Sequence, residues 1–355
     1  MFKPALDSSH VYNTFDKRDI YSSISKLSLQ FESGWHEAHF INLGFEPDKI
    51  RSIVYAGMGG SNLSGKIIHS LSPFLLSLPF EVVANYRLPA YTSKNTLVII
   101  SSYSGVTQEA LSCALDAKQK HAKIICITTG NQLEKLAKEN HWPCIKLDQA
   151  LNTSKIPRVG LFLSLGASLG LIERLSQGSL QIDPKQLSAL ISKTIDGLKR
   201  DVDLDSNPAK SLAEKNKSQG LVIIGANHLF GVADTVKNLI NETSKTFSVS
   251  LSLPDMNHHF LDGLTYPESL KDSVSFLIIN SNLYPQVIQR RIDRVKEILL
   301  KQRYHLTIIK PESEGPAEQI VESLVFFVFF SYYLSMVNHV DPASTPWVDY
   351  LKSLP

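Results

Sequence analysis

Two short stretches rich in glycine and hydroxyl residues carry the clearest chemistry in this chain. The first is Tyr55-Ala56-Gly57-Met58-Gly59-Gly60-Ser61-Asn62, where an apolar run, Ile53–Ala56, gives way to a helical pattern from Asn62. Glycines at such a junction let the backbone come close to a bound group, and the first helical amides point outward without intrahelical partners. That arrangement attracts an anion such as phosphate. The same composition also serves a tight strand-to-helix turn that holds nothing. The second stretch is Ser101-Ser102-Tyr103-Ser104-Gly105-Val106-Thr107, again at a strand end, with Ser102, Ser104 and Thr107 crowding hydroxyls around one glycine. Those hydroxyls can bind phosphate oxygens without adding charge, or they can cap the following helix, the ordinary role of a residue placed like Thr107. Two such turns on consecutive units favour the ligand, because ligands of parallel sheets gather beyond the carboxyl ends of the strands.

Nucleotide and metal motifs compete for some of these residues. A dinucleotide fingerprint starting at Gly57 needs glycine where Asn62 stands. Gly60-Ser61-Asn62-Leu63-Ser64-Gly65-Lys66 follows a P-loop until Ile67 replaces the magnesium-binding hydroxyl, and the apolar rhythm makes Leu63–Ile67 helix rather than loop. His36-Glu37-Ala38-His39 is one residue short of the zinc-protease pattern and reads as a solvated helix face. His258-His259 as a metal pair has only Asp255 and Asp262 nearby as acidic ligands.

The elements that must position these residues alternate. Residues 16–40 carry a helical pattern. After the first strand, Phe80–Asn85, Leu97–Ser101, Lys123–Thr128 and Cys144–Leu147 read as strands, with helices expected over Thr107–Lys120 and Gln132–Glu139. Helical patterns follow over Val159–Leu175 and Pro184–Arg200, and then the polar, proline-terminated Asp201–Pro208 reads as a boundary. Alternation restarts with strands at Leu221–Gly225, Thr246–Ser252, Val274–Asn280 and Thr307–Lys310, and helices at Gly231–Asn241, Tyr284–Leu300 and Pro316–Val340. Short apolar strands alternating with helices predict parallel sheets covered on both faces, here twice in tandem.

Bulk properties fit that architecture. The 355 residues exceed one ordinary core and suit two domains. With 43% hydrophobic and 20% charged residues the composition is that of a soluble globular protein, and a net charge of +2 without a long basic run does not call for nucleic acid. Cys113, Cys126 and Cys144 are too few and too scattered for a disulfide framework or zinc ribbon, so a reducing, cytoplasmic setting is expected. The first 13 residues lack the pattern of a signal peptide. Leu324–Met336 is apolar but shorter than the roughly 20 residues a membrane span needs, and is expected as a helix buried on all sides between two domains.

The two turns, Gly-Met-Gly-Gly-Ser and Ser-Tyr-Ser-Gly-x-Thr, resemble the phosphate site of sugar isomerase (SIS) domains. From about Ile20 to the C-terminus the chain resembles the bifunctional phosphoglucose/phosphomannose isomerases. The resemblance implies an α/β fold of two tandem SIS-type domains, each a flavodoxin-like parallel sheet in a three-layer αβα sandwich, with helical extensions at both ends. The implied ranges are 1–44 for an N-terminal helical arm, 45–200 and 209–311 for the two SIS domains, and 312–355 for C-terminal helices packing at the domain interface. It further implies that Gly59, Gly60, Ser61, Ser102, Ser104 and Thr107 hold a substrate phosphate, and that Arg158, in Ile156-Pro157-Arg158, lies beside the sugar. Glu242, in Asn241-Glu242, is the implied catalytic base, and His258, in Pro254-Asp255-Met256-Asn257-His258, the implied ring-opening group, supplied by the other subunit of a homodimer. Thr345 and Lys352 are implied to line the sugar after Asp341-Pro342. The chain departs from the family pattern at Val106, His259 and Phe260, and Ala343-Ser344 leaves Ser344 as an alternative to Thr345.

The implied chemistry is interconversion of glucose 6-phosphate, and mannose 6-phosphate, with fructose 6-phosphate. A proton moves between C1 and C2 through an enediol after ring opening, and no cofactor or metal is needed. Glu242 suits the shuttle if burial raises its pKa; otherwise it is an exposed carboxylate at a helix C-terminus, where the dipole disfavours it. His258 suits ring opening near neutral pH, or is a loop histidine with a structural hydrogen bond. Arg158 or Lys352 could stabilise the enediolate, or pack as surface residues. Two further readings stay open, a non-catalytic sugar-phosphate sensor and an isomerase for another phosphosugar; solvent-proton exchange at C2 and substrate profiling separate them.

Overall fold

A computed structural model describes residues 4–176 and 182–353. The chain opens with helices α1 (Ser9–Phe15), α2 (Ile20–Ile24) and α3 (Leu27–Phe40). The helical pattern expected over 16–40 starts only at Ile20, where two aspartates cap it, and breaks once more at Ser25–Lys26. Asp16 accepts the amides of Ile20 and Tyr21 at 2.7 and 3.0 Å, and Asp19 accepts that of Ser22 at 3.2 Å, so carboxylates replace the helix carbonyls there.

The first sheet contains β1 (Ser52–Gly57), β2 (Phe80–Val83), β3 (Thr96–Ser101), β4 (Lys123–Thr128) and β5 (Cys144–Lys146). All pairs are parallel and the order is β2-β1-β3-β4-β5. Helices α4 (Leu63–Leu75), α5 (Gln108–Gln119), α6 (Asn131–Glu139) and α7 (Leu161–Leu175) accompany it, and α8 (Pro184–Asp196) follows in the chain. This is the flavodoxin-like doubly wound order, which reverses between β1 and β3, and the crevice beyond the carboxyl ends of those two strands is where such folds bind ligands. Both glycine- and hydroxyl-rich turns leave the sheet there. Helix α3 lies so close to α7 that a Cβ at Gly34 would overlap Leu163 O and one at Gly166 would overlap Phe31 O, which explains the small residues in that apolar stretch.

Helix α9 (Pro208–Lys215) precedes the second sheet. That sheet contains β6 (Gly220–Ala226), β7 (Ser248–Leu253), β8 (Val274–Ile279) and β9 (His305–Ile309), again parallel, in the order β7-β6-β8-β9. Its helices are α10 (Phe230–Leu239), α11 (Leu270–Ser273), α12 (Gln286–Lys301), α13 (Pro316–Val337) and α14 (Pro346–Ser353).

Contacts divide the chain into two compact units, Lys26–Ala189 and Met1–Ser25 with Leu190–Pro355. These cut the chain differently from the ranges read from sequence, because the N-terminal arm is split and residues before Lys26 join the second sheet's unit. The physical cause is a buried polar anchor. Lys210, 0% exposed, donates to Asp7 Oδ1 at 2.8 Å and to the carbonyls of Arg200 and Val202 at 2.9 and 2.8 Å. Arg200 lies 3.6 Å from the Tyr21 ring centroid, and Tyr332 donates to Asp16 at 3.0 Å. The expected linker at Asp201–Pro208 is ordered by the same region: Asn207 caps α9, with Pro208 in its first turn.

Helix α13 has the length and composition of a membrane span, with a mean hydropathy of 1.9, yet 89% of its apolar window is buried inside the protein. It packs on α9 and α10 within its own unit as a core helix.

Candidate active site

In the unit Lys26–Ala189, β1 ends at Gly57 and the chain makes a 3-10 turn over Gly59–Asn62 before α4. Helix begins at Leu63, which removes the P-loop alternative. Gly59 has φ +51°, and nothing lies within 4 Å of where its Cβ would be, so the backbone faces open space beyond the strand end. Ser61, 7% exposed, accepts the Tyr103 amide at 2.8 Å through Oγ, which ties the glycine turn to the serine turn and leaves the Ser61 proton to donate.

The serine turn is organised internally. Ser102 is 0% exposed, accepts the Gly105 amide at 3.1 Å and donates to Thr107 Oγ1 at 2.9 Å. Its proton is therefore spent inside the turn, and its part is to aim Thr107. Thr107 stands at the N-cap of α5 without a side-chain cap hydrogen bond, so the capping alternative fails and its own O–H is left for other use. Ser104 is half-buried and accepts the Val106 amide at 3.4 Å, and Val106 itself is exposed.

Arg158 is brought to these turns by packing. It follows Pro157 in a 3-10 turn, Pro157–Gly160, and is 5% exposed. A Cβ at Gly60 would meet Arg158 N at 3.1 Å and Pro157 C at 3.3 Å, so only glycine lets the two turns touch without displacement. Gly59, Gly60, Ser61, Ser102, Ser104, Thr107 and Arg158 thus form one cluster at the switch point of one sheet.

The remaining candidates belong to the other unit. Where α10 ends, the chain winds into a π-helical turn, Ile240–Ser244, which carries Glu242 half-buried. Such turns are rare and concentrate at functional sites. Three residues hold it. Asn241 donates to Lys237 O at 2.9 Å and Ser248 O at 2.8 Å and accepts from Ser248 N at 3.1 Å, pinning the turn to β7. Lys245, left-handed at φ 52°, donates to Glu242 O at 3.1 Å, Thr243 O at 3.3 Å and Asp341 O. Asn338 donates to Ser244 O at 3.3 Å and Thr246 Oγ1 at 2.9 Å. The base candidate's turn and the Asp341-Pro342 turn are thereby joined, although Lys245 and Asn338 carried no signal in the sequence.

His258 is exposed at the end of a 3-10 turn, Asp255–His258, whose Met256 is buried as core. His259 pairs with Asp255 at 3.4 Å, Phe260 packs edge-on against Phe276, and among the described residues no group of three His, Cys, Asp or Glu is placed to hold a metal. Thr345 donates to Asp349 at 3.4 Å, Ser344 to Asp341 O at 3.4 Å, and Lys352 is exposed on α14. Cys113, Cys126 and Cys144 are free, and burial pushes the thiols of Cys113 and Cys144 up to about 11.

Both parts of the chain match known domains. Residues 48–165 match the SIS domain, and residues 205–354 match the bacterial phospho-glucose isomerase C-terminal SIS domain. The chain belongs to the bifunctional phosphoglucose/phosphomannose isomerase family. A family enzyme of Caldicellulosiruptor bescii is 28% identical over 341 residues, covering 94% of this chain and 98% of the relative. One from Aquifex aeolicus is 24% identical over 335 residues, covering 94% and 97%. A hypothetical protein of Thermus thermophilus shares the fold, with a TM-score of 0.76 at 12% identity over 98% of this chain and 92% of that one. The glycine and serine turns both fall within the SIS match at residues 48–165 of this chain, and the π-turn falls within the C-terminal match at residues 205–354.

Proposed function

We propose that this chain interconverts glucose 6-phosphate, and mannose 6-phosphate, with fructose 6-phosphate by ring opening and proton transfer through an enediol. The observation that carries the reading is the pair of anion-seeking turns at the switch point of the first sheet, with Arg158 packed onto one of them. Backbone at Gly59 and Gly60 and the hydroxyls of Ser61, Ser104 and Thr107 bind the phosphate, with Ser102 aiming Thr107. Arg158 offsets negative charge on the enediolate oxygens. Glu242, on its pinned π-turn, takes the proton from one carbon and returns it to the other. Thr345 and Lys352 are assigned to the sugar by the family pattern, and a small side chain at Thr345 leaves room for both C2 epimers. His258 acts at the ring oxygen. Its exposure supports presentation to a second copy in a homodimer. Three free thiols support a reducing, cytoplasmic setting.

The test is purified protein with each aldose phosphate, coupled to fructose 6-phosphate detection and repeated in D2O to read exchange at C2. Glu242→Gln is expected to lose about 10²–10⁴-fold in kcat, the usual worth of a positioned base. Full speed in that variant, or no turnover by the unaltered protein, sinks the reading. Mixing Glu242→Gln with His258→Ala protein is expected to restore turnover through hybrid dimers; absence of rescue refutes His258 acting across the interface.

A further inference from the structure

Two buried side chains outside the family's phosphate and base residues converge on the residues that flank Arg158. Asn152, 0% exposed, donates through Nδ2 to Tyr103 Oη at 2.8 Å and to Ile156 O at 2.9 Å, and its Oδ1 accepts from Ser154 Oγ at 2.6 Å. Every polar atom of that amide is engaged. Tyr103, 4% exposed, is fixed at three points: its amide to Ser61 at 2.8 Å, its carbonyl to Thr129 Oγ1 at 2.7 Å, and its ring against Gly160, where a Cβ would come within 2.6 Å. Ile156 and Gly160 flank Arg158 on both sides. One tyrosine therefore links the serine turn, the glycine turn and both ends of the arginine turn.

We propose that Tyr103 and Asn152 are a positioning pair that sets the Arg158 turn against Gly60, and so sets the guanidinium for the sugar oxygens. The pair touches no substrate and acts through Arg158. The inference rests on the isomerase reading above for its kinetic consequence, but its geometry does not.

The decisive variant is Tyr103→Phe, which keeps the ring against Gly160 and the backbone bond to Ser61 while leaving one buried N–H of Asn152 without its acceptor. Expected is a fall in kcat of about tenfold, the scale of one buried hydrogen bond. KM should stay within about twofold, because phosphate binding uses groups the variant leaves in place. The discriminating measurement is a double-mutant cycle with Arg158→Ala. If Tyr103 acts through the arginine, Tyr103→Phe in that background should cost less than about twofold. Equal losses in both backgrounds, or kcat unchanged in the single variant, overturn the proposal. Should the unaltered protein show no turnover, the isomerase reading fails separately, and the same cycle read as melting temperature judges the pair: coupling of Tyr103→Phe with Arg158→Ala supports it, additivity refutes it.

Discussion

Two glycines offer a controlled experiment on the phosphate seat. Gly59 has φ +51° and Gly44 has φ +67°, and neither has an atom within 4 Å of the position a Cβ would take. Alanine at either site therefore meets the same cost, left-handed backbone strain of about 1–2 kcal/mol, with no steric clash in the protein itself. Both should lower the melting temperature of the purified protein by a few degrees. The two sites differ in place. Gly44 lies in the loop between α3 and β1, before the strand begins, whereas Gly59 follows β1 at its carboxyl end. If the open space over Gly59 is filled by phosphate, the new methyl displaces an oxygen from the turn. A hydrogen bond to a charged group is worth about 1.5–3 kcal/mol, so KM for the sugar phosphate should rise roughly 10- to 100-fold in Gly59→Ala. Gly44→Ala should keep the KM of the unaltered enzyme. The assay is initial rates over a range of fructose 6-phosphate alongside thermal melts. Equal KM values in two variants with equal melting shifts would refute the phosphate seat, since strain alone would then explain everything.

Removing the ammonium in Lys210→Met takes the countercharge from the buried Asp7 carboxylate, which keeps the Leu204 amide at 3.0 Å, and breaking such a buried pair costs about 3–5 kcal/mol, of which the double variant with Asp7→Asn should recover part; a melting temperature for Lys210→Met equal to that of the unaltered protein would contradict the anchor. Burial, opposed by the Gln319 hydrogen bond at 3.0 Å, holds His228 below its ordinary value of 6.5, so the folded chain resists a proton the unfolded chain accepts. Stability from this group is full above the ordinary value and drains as pH falls through the folded one, and His228→Asn should flatten the loss of melting temperature on acidification; parallel slopes would refute it.

The alternation of strands and helices, the parallel sheets and both anion-seeking turns were legible in the linear chain, because they depend on apolar periodicity and on glycine and hydroxyl residues a few positions apart. Boundaries were less so: Asp16 and Asp19 delay the N-terminal helix to Ile20, and α9 starts at Pro208, the last residue read as linker, because side-chain caps fix both starts. Tyr103 lay in plain view inside the serine motif but drew attention only for its neighbours' hydroxyls. What tertiary structure alone decided is which remote backbones touch. The contact of Gly60 with Arg158, the bond from Asn152 to Tyr103, the reach of Lys245 to Asp341 O and the grip of Asn338 on the π-turn of Glu242 join segments distant in the chain. No local pattern encodes them, because they arise only when packed sheets and helices bring those segments within hydrogen-bonding distance. The division of labour among the serine-turn hydroxyls, with Ser102 turned inward and Thr107 left free to donate, was settled in the same way.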